Sequence, residues 1–336
     1  MTTKIAINGF GRIGRIFFRQ AFGNADIEIV AINDLGAPAN LVYLLKYDTV
    51  YRRYDKTVEL IGNKMVVDGK EIALLQEKDP NKLPWGSMGV DVVVESTGVF
   101  DSREKAAVHL TVGAQRVVIT APTHDDVTPT ATPNVGMDIL STDQITSNAS
   151  CTTNATNPVV AIMMAGVGVE KAVLSTVHGY TATQGLVDGP DKKDDYRRAR
   201  AAAMNIVPST TGAAKATTRV ITALEGKFDG IAIRVPVISG SLIDITFIAS
   251  RPTTAEEVNN IFKQAAAAPE WQGIMTVTED QLVSSDILGQ PYGSIVDLAL
   301  TRVVDGNLVK VFSWYDNEWG YCAMLLKHVL EVAKLL

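Results

Sequence analysis

At 336 residues the chain is longer than one ordinary hydrophobic core organises, so two domains are expected. Hydrophobic residues at 46 % and charged residues at 20 % give the balance of a soluble globular protein, and no apolar run reaches the roughly 18 residues of a membrane span. The net charge of −6, without a dense Lys/Arg block, gives a poor electrostatic footprint for nucleic acid as the primary partner and leaves room only for a local basic pocket.

The first residues enter an apolar strand pattern at once. No hydrophobic segment with a small-residue cleavage site precedes it, so a secretory leader is not expected. Only two cysteines occur, Cys151 and Cys322, in a chain large enough to need no covalent staples. A reducing, cytoplasmic setting is expected, with Cys151 a free thiol. Four scattered histidines and no Cys or His pairs at ligand spacing predict no metal site.

In chain order, the first half alternates short apolar runs with helical stretches. The runs are Ile5-Ala6-Ile7, residues 27–32, Val92-Val93-Val94 and Val117-Val118-Ile119, and residues 103–112 form a helical stretch between two of them. Continuous apolar runs separated by helices predict a doubly wound parallel sheet covered on both faces. The second half changes texture. Ile231, Ile233 and Val235 alternate with Ala232, Arg234 and Pro236, and Ile243, Ile245 and Phe247 alternate with Asp244 and Thr246. That period of two predicts strands with one buried and one wetter face, in a mostly antiparallel sheet. The tail repeats apolar residues at Leu325, Val329, Val332 and Leu336, a helical spacing that needs a surface to dock on. The expected division is an α/β dinucleotide-binding domain over residues 1–150, completed by a C-terminal helix at 318–336, and an α+β catalytic domain over 151–317.

Gly9-Phe10-Gly11-Arg12-Ile13-Gly14 follows the first strand and opens an amphipathic helix over residues 12–22. The first glycine permits a tight turn, the second lets the backbone approach a pyrophosphate, and the third lets helix pack on strand. The helix start adds partial positive charge. Asp34 ends the second strand 20 positions after Gly14, where an acid binds the adenine ribose hydroxyls and repels a 2′-phosphate. NAD is therefore expected over NADP. Arg12, on the first turn, is either a pyrophosphate contact or a surface arginine.

Ser147-Asn148-Ala149-Ser150-Cys151-Thr152-Thr153-Asn154 precedes an apolar helical stretch. With Ser150 as N-cap, Cys151 lies in the first turn, where unpaired N–H groups and the helix dipole favour thiolate. Most isolated cysteines are inert core residues, and Cys322, in an apolar helix, reads as one. Cys151 sits among Ser, Asn and Thr at a domain junction and reads as a nucleophile. His178, closing an apolar strand in Ser175-Thr176-Val177-His178-Gly179, is its candidate base. His109, His124 and His328 lie in helical or loop contexts without comparable neighbours.

Five ordered segments carry a family resemblance: residues 7–15 (INGFGRIGR), 147–154 (SNASCTTN), 178–184 (HGYTATQ), 209–216 (STTGAAKA) and 313–321 (SWYDNEWGY). Through them the chain resembles the glyceraldehyde-3-phosphate dehydrogenases along nearly its full length. The resemblance implies an NAD-dependent, phosphorylating aldehyde oxidation with glyceraldehyde 3-phosphate and inorganic phosphate as substrates. It makes Cys151 the attacking thiol and His178 its base, and assigns Asn317 to the nicotinamide carboxamide. Ser150, Thr152, Thr211 and Gly212 are implied for inorganic phosphate. Thr181 and Arg234 are implied for the phosphate of the substrate, with Arg198 between the two anion sites. Lys78 and Thr120 match positions near the adenine and nicotinamide halves of the cofactor. Arg198 otherwise reads as part of a solvated basic face, and Arg234 as an exposed sheet residue.

The resemblance also implies a homotetramer, in which the loop over residues 181–200 approaches a neighbouring subunit. Departures are local: Ala155 replaces a frequent second cysteine, Tyr51-Arg52-Arg53-Tyr54 replaces a small turn, and residues 132–138 depart from an apolar run. An erythrose-4-phosphate dehydrogenase is the nearest alternative, and the intact segment at 209–216 favours the triose enzyme. A semialdehyde dehydrogenase lacks these segments. A non-catalytic scaffold that holds RNA is disfavoured by the acidic charge.

Overall fold

The computed structural model describes residues 2–190 and 195–336; residues 191–194, within the 181–200 loop, lie outside the described residues. Two compact units emerge. The first comprises residues 1–131, 137–149 and 322–336, and the second residues 132–136 and 150–321.

The first unit opens with β1 (Thr3–Asn8), α1 (Arg12–Ala21), β2 (Ile27–Asn33), α2 (Pro38–Lys46) and a small hairpin, β3 (Tyr47–Asp48) and β4 (Arg52–Arg53). β5 (Val58–Ile61), β6 (Lys64–Val67), β7 (Lys70–Leu75), α3 (Trp85–Met88) and β8 (Val92–Glu95) follow. The run ends with α4 (Arg103–Ala106), α5 (Val108–Thr111), β9 (Arg116–Ile119) and β10 (Ile145–Ser147). Its sheet has the order β10-β9-β8-β1-β2-β7-β6-β5. From β10 to β7 all pairs are parallel, and β6 and β5 add an antiparallel edge. The chain runs outward from β1 in both directions, so the strand order reverses between β1 and β8, where a doubly wound sheet opens its ligand crevice. β8 is buried along its whole length, as its unbroken apolar sequence predicts for a strand covered on both faces. The expected helix at 103–112 is two short turns, α4 and α5, interrupted at Ala107, although Ala107 keeps right-handed helical dihedrals. α1 stops at Ala21, one residue before its expected end.

The second unit contains α6 (Cys151–Gly166), β11 (Lys171–Gly179), β12 (Val207–Thr210), α7 (Ala213–Val220), β13 (Phe228–Val235), β14 (Ser241–Ile248) and α8 (Ala255–Ala267). β15 (Met275–Thr278), β16 (Ser294–Asp297), β17 (Arg302–Val304) and β18 (Leu308–Tyr315) complete its strands. α9 (Trp319–Ala333) begins in this unit and belongs to the first from Cys322 onward. The sheet order is β12-β13-β11-β14-β18-β16-β15, with β17 on β18. Only β11–β13 and β15–β16 are parallel, so the sheet is mostly antiparallel, as the alternation predicts. Helices cover one face: Val159 and Met163 of α6 and Phe262 of α8 share a core with Leu174, Ile243, Ile245, Phe247, Val309 and Val311.

The expected buried face of β13 is corrected. Ala232 is buried beneath the helices, whereas Ile231 is 53 % exposed on the other side. α7 packs here through Ala213, Ala214 and Ala216 and covers the Ala232 side of the strand. The branched residues of β13 therefore face the open side, beside Val173 at 61 % exposure. Among the described residues, no helix is long and apolar enough to cross a membrane.

Candidate active site

The nucleophile position is set by the backbone before it. Ala149 is fully buried and adopts a left-handed φ of 56°, an uncommon conformation for a residue with a side chain, and turns the chain into α6. Ser150 caps that helix: its Oγ accepts from Thr153 N at 3.0 Å and lies 2.8 Å from Thr153 Oγ1. Cys151 is then the first residue of the helix, as expected. The next strand, β11, carries His178 as its penultimate residue, and His178 Nε2 lies 3.4 Å from Cys151 Sγ. Both residues belong to the second unit, so the pair is defined within one compact body.

Burial pushes the Cys151 thiol up, against the pull of Arg234 and of donors at Thr152. Burial, with the positive charge of Arg234, pushes His178 down to about 3. Both shifts run toward the uncharged forms, thiol and neutral imidazole. His178 Nδ1 lies 2.6 Å from Gly179 O and 2.7 Å from Arg234 Nη1, which also donates to Gly179 O at 3.1 Å. These contacts ask for opposite proton positions. A guanidinium only donates, so it prefers an unprotonated Nδ1, whereas the carbonyl prefers Nδ1–H and thereby leaves the Nε2 lone pair facing sulfur.

Arg234 is partly buried and its Nη1 approaches His178, which disfavours the alternative of an exposed sheet residue. Arg198 also departs from a purely solvated role. Its Nε donates to Ser209 Oγ at 2.6 Å and lies 3.2 Å from Asp195, and Nη2 donates to Thr210 O at 3.3 Å. The charge of Arg198 acts on both His178 and Arg234, so two cations serve one neighbourhood. Gly212 precedes α7 as its N-cap, with open space around its Cα, beside Thr211, whose Oγ1 accepts from Ala213 N. Thr181 is partly exposed and shares a hydroxyl contact with Thr183. By contrast, the Thr152 hydroxyl is buried and lies 3.0 Å from Tyr315 OH, and the Ser150 hydroxyl is committed to the helix cap. Those two side chains are thus turned to internal partners.

Asn317 is buried, and its Oδ1 accepts from Ser241 Oγ at 2.9 Å and Gly240 N at 3.1 Å. These bonds orient the amide and spare Nδ2, the donor end. The Asp316 carboxylate beside it accepts from Ser239, Gly289, Glu318 and Trp319 and ties down the whole segment.

In the first unit, Gly9, Gly11, Asp34 and Lys78 line a groove of about 500 Å³. Gly9 has φ +93°, and a Cβ there would lie 2.6 Å from Thr97 N; a Cβ on Gly14 would lie 2.2 Å from Gly9 O. A Cβ on Gly11 meets nothing within 4 Å, so its bareness serves the groove and not the protein's own packing. α1 begins at Arg12, and its N-cap Gly11 provides no side-chain cap, so the positive end of the helix faces the glycine turn. This combination fits a dinucleotide pyrophosphate. Asp34 Oδ2 accepts from Phe10 N and Oδ1 from Gly36 N, each at 2.7 Å, so the acid is held against the glycine turn. Arg12 pairs with Asp48 and lies over the Tyr51 ring, while the Ile13 carbonyl accepts from Cys322 Sγ at 3.6 Å. Thr120 follows β9 and donates its N–H to Glu95 O, without lining the groove.

The other histidines have polar partners of their own, away from Cys151. His109 is fully buried against Glu95 and Trp85, His328 against Thr146, and exposed His124 lies beside Asp101. Sequence reasoning also missed Tyr315, whose hydroxyl lies 2.8 Å from Thr176 Oγ1 and whose ring meets His178 edge-on at 5.9 Å. A tyrosine inside an apolar strand, needing a hydroxyl partner, was the available signal. Among the described residues no group of three or more His, Cys, Asp or Glu is arranged to hold a metal.

Comparison with known proteins agrees with this arrangement. Residues 3–103 match the family description "Glyceraldehyde 3-phosphate dehydrogenase, NAD binding domain", and residues 150–317 match "Glyceraldehyde 3-phosphate dehydrogenase, C-terminal domain". A glyceraldehyde-3-phosphate dehydrogenase of Streptomyces coelicolor is 48 % identical over 338 residues, covering 100 % of both chains. One from Zymomonas mobilis is 44 % identical over 339 residues with the same coverage, and one from Geobacillus stearothermophilus is 48 % identical over 322 residues, or 96 % of this chain and 95 % of its own. The chain belongs to the glyceraldehyde 3-phosphate dehydrogenase family, with NAD as its cofactor.

Proposed function

We propose that the chain oxidises and phosphorylates glyceraldehyde 3-phosphate to 1,3-bisphosphoglycerate, using NAD and inorganic phosphate, through a thioester on Cys151. The observation that carries this reading is the 3.4 Å approach of Cys151 Sγ to His178 Nε2 at the start of α6. His178 takes the thiol proton as sulfur adds to the aldehyde carbon, and the Cys151 N–H and the imidazole steady the resulting oxyanion. The imidazolium returns that proton to the oxyanion, forming the hemithioacetal hydroxyl, and takes it up again as hydride leaves. NAD, when bound, supplies the hydride acceptor. Inorganic phosphate attacks the thioester carbon, the C–S bond breaks, and sulfur is released for the next cycle.

Arg234 and Thr181 are assigned to the substrate phosphate, and Thr211 with Gly212 to inorganic phosphate. Arg198 serves both, because its charge reaches the Arg234 neighbourhood. Ser150 and Thr152 contribute to the phosphate site through the helix start they build, since their hydroxyls have internal partners. An anion that draws Arg234 from Nδ1 favours the Gly179-bonded tautomer and so the base form of His178. Gly9, Gly11, Arg12, Ile13, Gly14, Asp34, Lys78 and Thr120 are assigned to the cofactor, with the Asn317 Nδ2 donor for its carboxamide.

The domain assignment is residues 1–150 with 318–336 for cofactor and 151–317 for catalysis. A homotetramer follows the family resemblance, and the open apolar face of the second unit's sheet supports contact with another copy. The free thiols of Cys151 and Cys322 support a cytoplasmic setting.

The test is NADH formation from glyceraldehyde 3-phosphate with and without inorganic phosphate, beside NADP and erythrose 4-phosphate as alternatives. Rapid NADH formation that requires phosphate for sustained turnover is expected. Cys151→Ser should abolish thioester formation while still binding NAD; near-normal turnover by that variant would sink the assignment.

A further inference from the structure

Glu95, Asn8 and Asn33 lie side by side at the ends of three adjacent parallel strands: Asn8 is in register with Glu95 on β8 and with Asn33 on β2. All three side chains are buried, at 6 % exposure or less. Four donors meet the two Glu95 oxygens. Thr97 N and Thr97 Oγ1 reach Oε1 at 2.8 and 2.5 Å, while Asn8 Nδ2 and His109 Nε2 reach Oε2 at 2.6 and 3.0 Å. Trp85 Nε1 lies 3.1 Å from His109 Nδ1 and can only donate, which places the His109 proton on Nε2, facing Glu95.

The chain of bonds continues in one direction toward the groove. Asn33 Nδ2 donates to Asn8 Oδ1 at 2.8 Å and to Glu77 O at 3.1 Å, and Asn33 Oδ1 accepts from Glu77 N at 2.9 Å. Glu77, Lys78 and Pro80 form one wall of the dinucleotide groove. We propose that Glu95 is a positioning residue for the cofactor, an acceptor-only hub that sets the amide orientations of Asn8 and Asn33 and through them seats the Glu77–Pro80 wall. This rests on the groove being the NAD site.

Directionality makes the claim testable by an isosteric change. A glutamine at position 95 introduces an NH2 where both oxygens meet only donors. Thr97 N is backbone and cannot turn, and His109 is held by Trp85, so the conflict moves to Asn8. Turning Asn8 sets it against Asn33, and turning Asn33 sets it against the Glu77 backbone, which cannot reverse. The wall is released. Glu95→Gln in the full-length protein should therefore weaken NAD binding, measured directly by calorimetry, by about tenfold, the scale of one lost buried hydrogen bond. Alkylation of Cys151 by iodoacetamide should be unchanged, and kcat at saturating NAD should change less than KM for NAD.

Trp85→Phe breaks the far side of the hub without touching the Asn8–Asn33–Glu77 side, so it should lower Tm and leave NAD affinity intact. Unaltered NAD affinity in folded Glu95→Gln, or an equal loss in Trp85→Phe, overturns the proposal. If Glu95→Gln does not fold, Asn33→Asp breaks the same chain nearer the wall and must show the same loss, or the proposal is wrong. Absence of NAD binding by the unaltered protein would instead overturn the cofactor assignment of the groove.

Discussion

Cys151 and His178 illustrate how one residue's surroundings set another's chemistry. A base must be unprotonated to work, and burial with the Arg234 charge pushes His178 down to about 3, so its ring is neutral near pH 7. The same shift affects stability. The unfolded ring takes up a proton near pH 6.5, while the folded ring does not until about 3, so stability is fully present above 6.5 and is lost as pH falls toward 3. From pH 6.5 to 5 the contribution lost is about 2 kcal/mol. His328, pushed down to about 4 by complete burial, adds in the same direction. We predict that His178→Asn slows NADH formation by about 10²–10⁴, the usual scale for losing a general base, and flattens the fall of the urea midpoint between pH 6.5 and 5. Equal slopes in the two proteins, or an unaltered rate, would contradict the assigned role.

At the scale of elements, the strand–glycine–helix join at β1 and α1 separates two demands usually grouped in one motif. Gly14 is needed by the fold, because a Cβ would press on Gly9 O at 2.2 Å. Gly11 is needed by the ligand, because a Cβ there meets nothing within 4 Å. Gly14→Ala should lose about 1–3 kcal/mol of stability, as overpacking does, and bind NAD poorly. Gly11→Ala should melt like the unaltered protein and lose NAD affinity. Calorimetry and thermal melts on both variants check the contrast; destabilisation by Gly11→Ala would refute it. The motif already assigns the second glycine to the ligand and the third to helix packing; the structure adds the contacts that make the two demands separable. The helix start at Cys151 was legible, because Ser150 is a local cap with a local partner, Thr153. The break at Ala107 was not, since apolar and charged residues run through 103–112 without interruption.

At the scale of the molecule, the open face of the second unit's sheet is the largest departure from what alternation implied. Val173 and Ile231 are more than half exposed, with Leu308 at 37 % on the same sheet. Burying one such aliphatic side chain is worth about 1.5–3 kcal/mol, so association through this face recovers free energy that the single chain leaves unused. Sedimentation of Ile231→Glu should show smaller particles than the unaltered protein, with the Cys151 alkylation rate retained. The same particle size in both would refute association through this face.

The amino-acid order by itself determined both sheet types, the glycine turn, the acid after β2, the capped cysteine and its distant histidine, because each depends on periodicity or on neighbours a few positions away. Tertiary structure alone decided which side of β13 is covered, that Arg234 rests on His178 Nδ1, that Thr152 turns inward to Tyr315, and that Glu95 gathers donors from three places in the chain. Those outcomes follow from what packs across the sheet and from which donor lacks another acceptor, and a hydrogen bond spanning 87 positions leaves no local trace in composition or spacing.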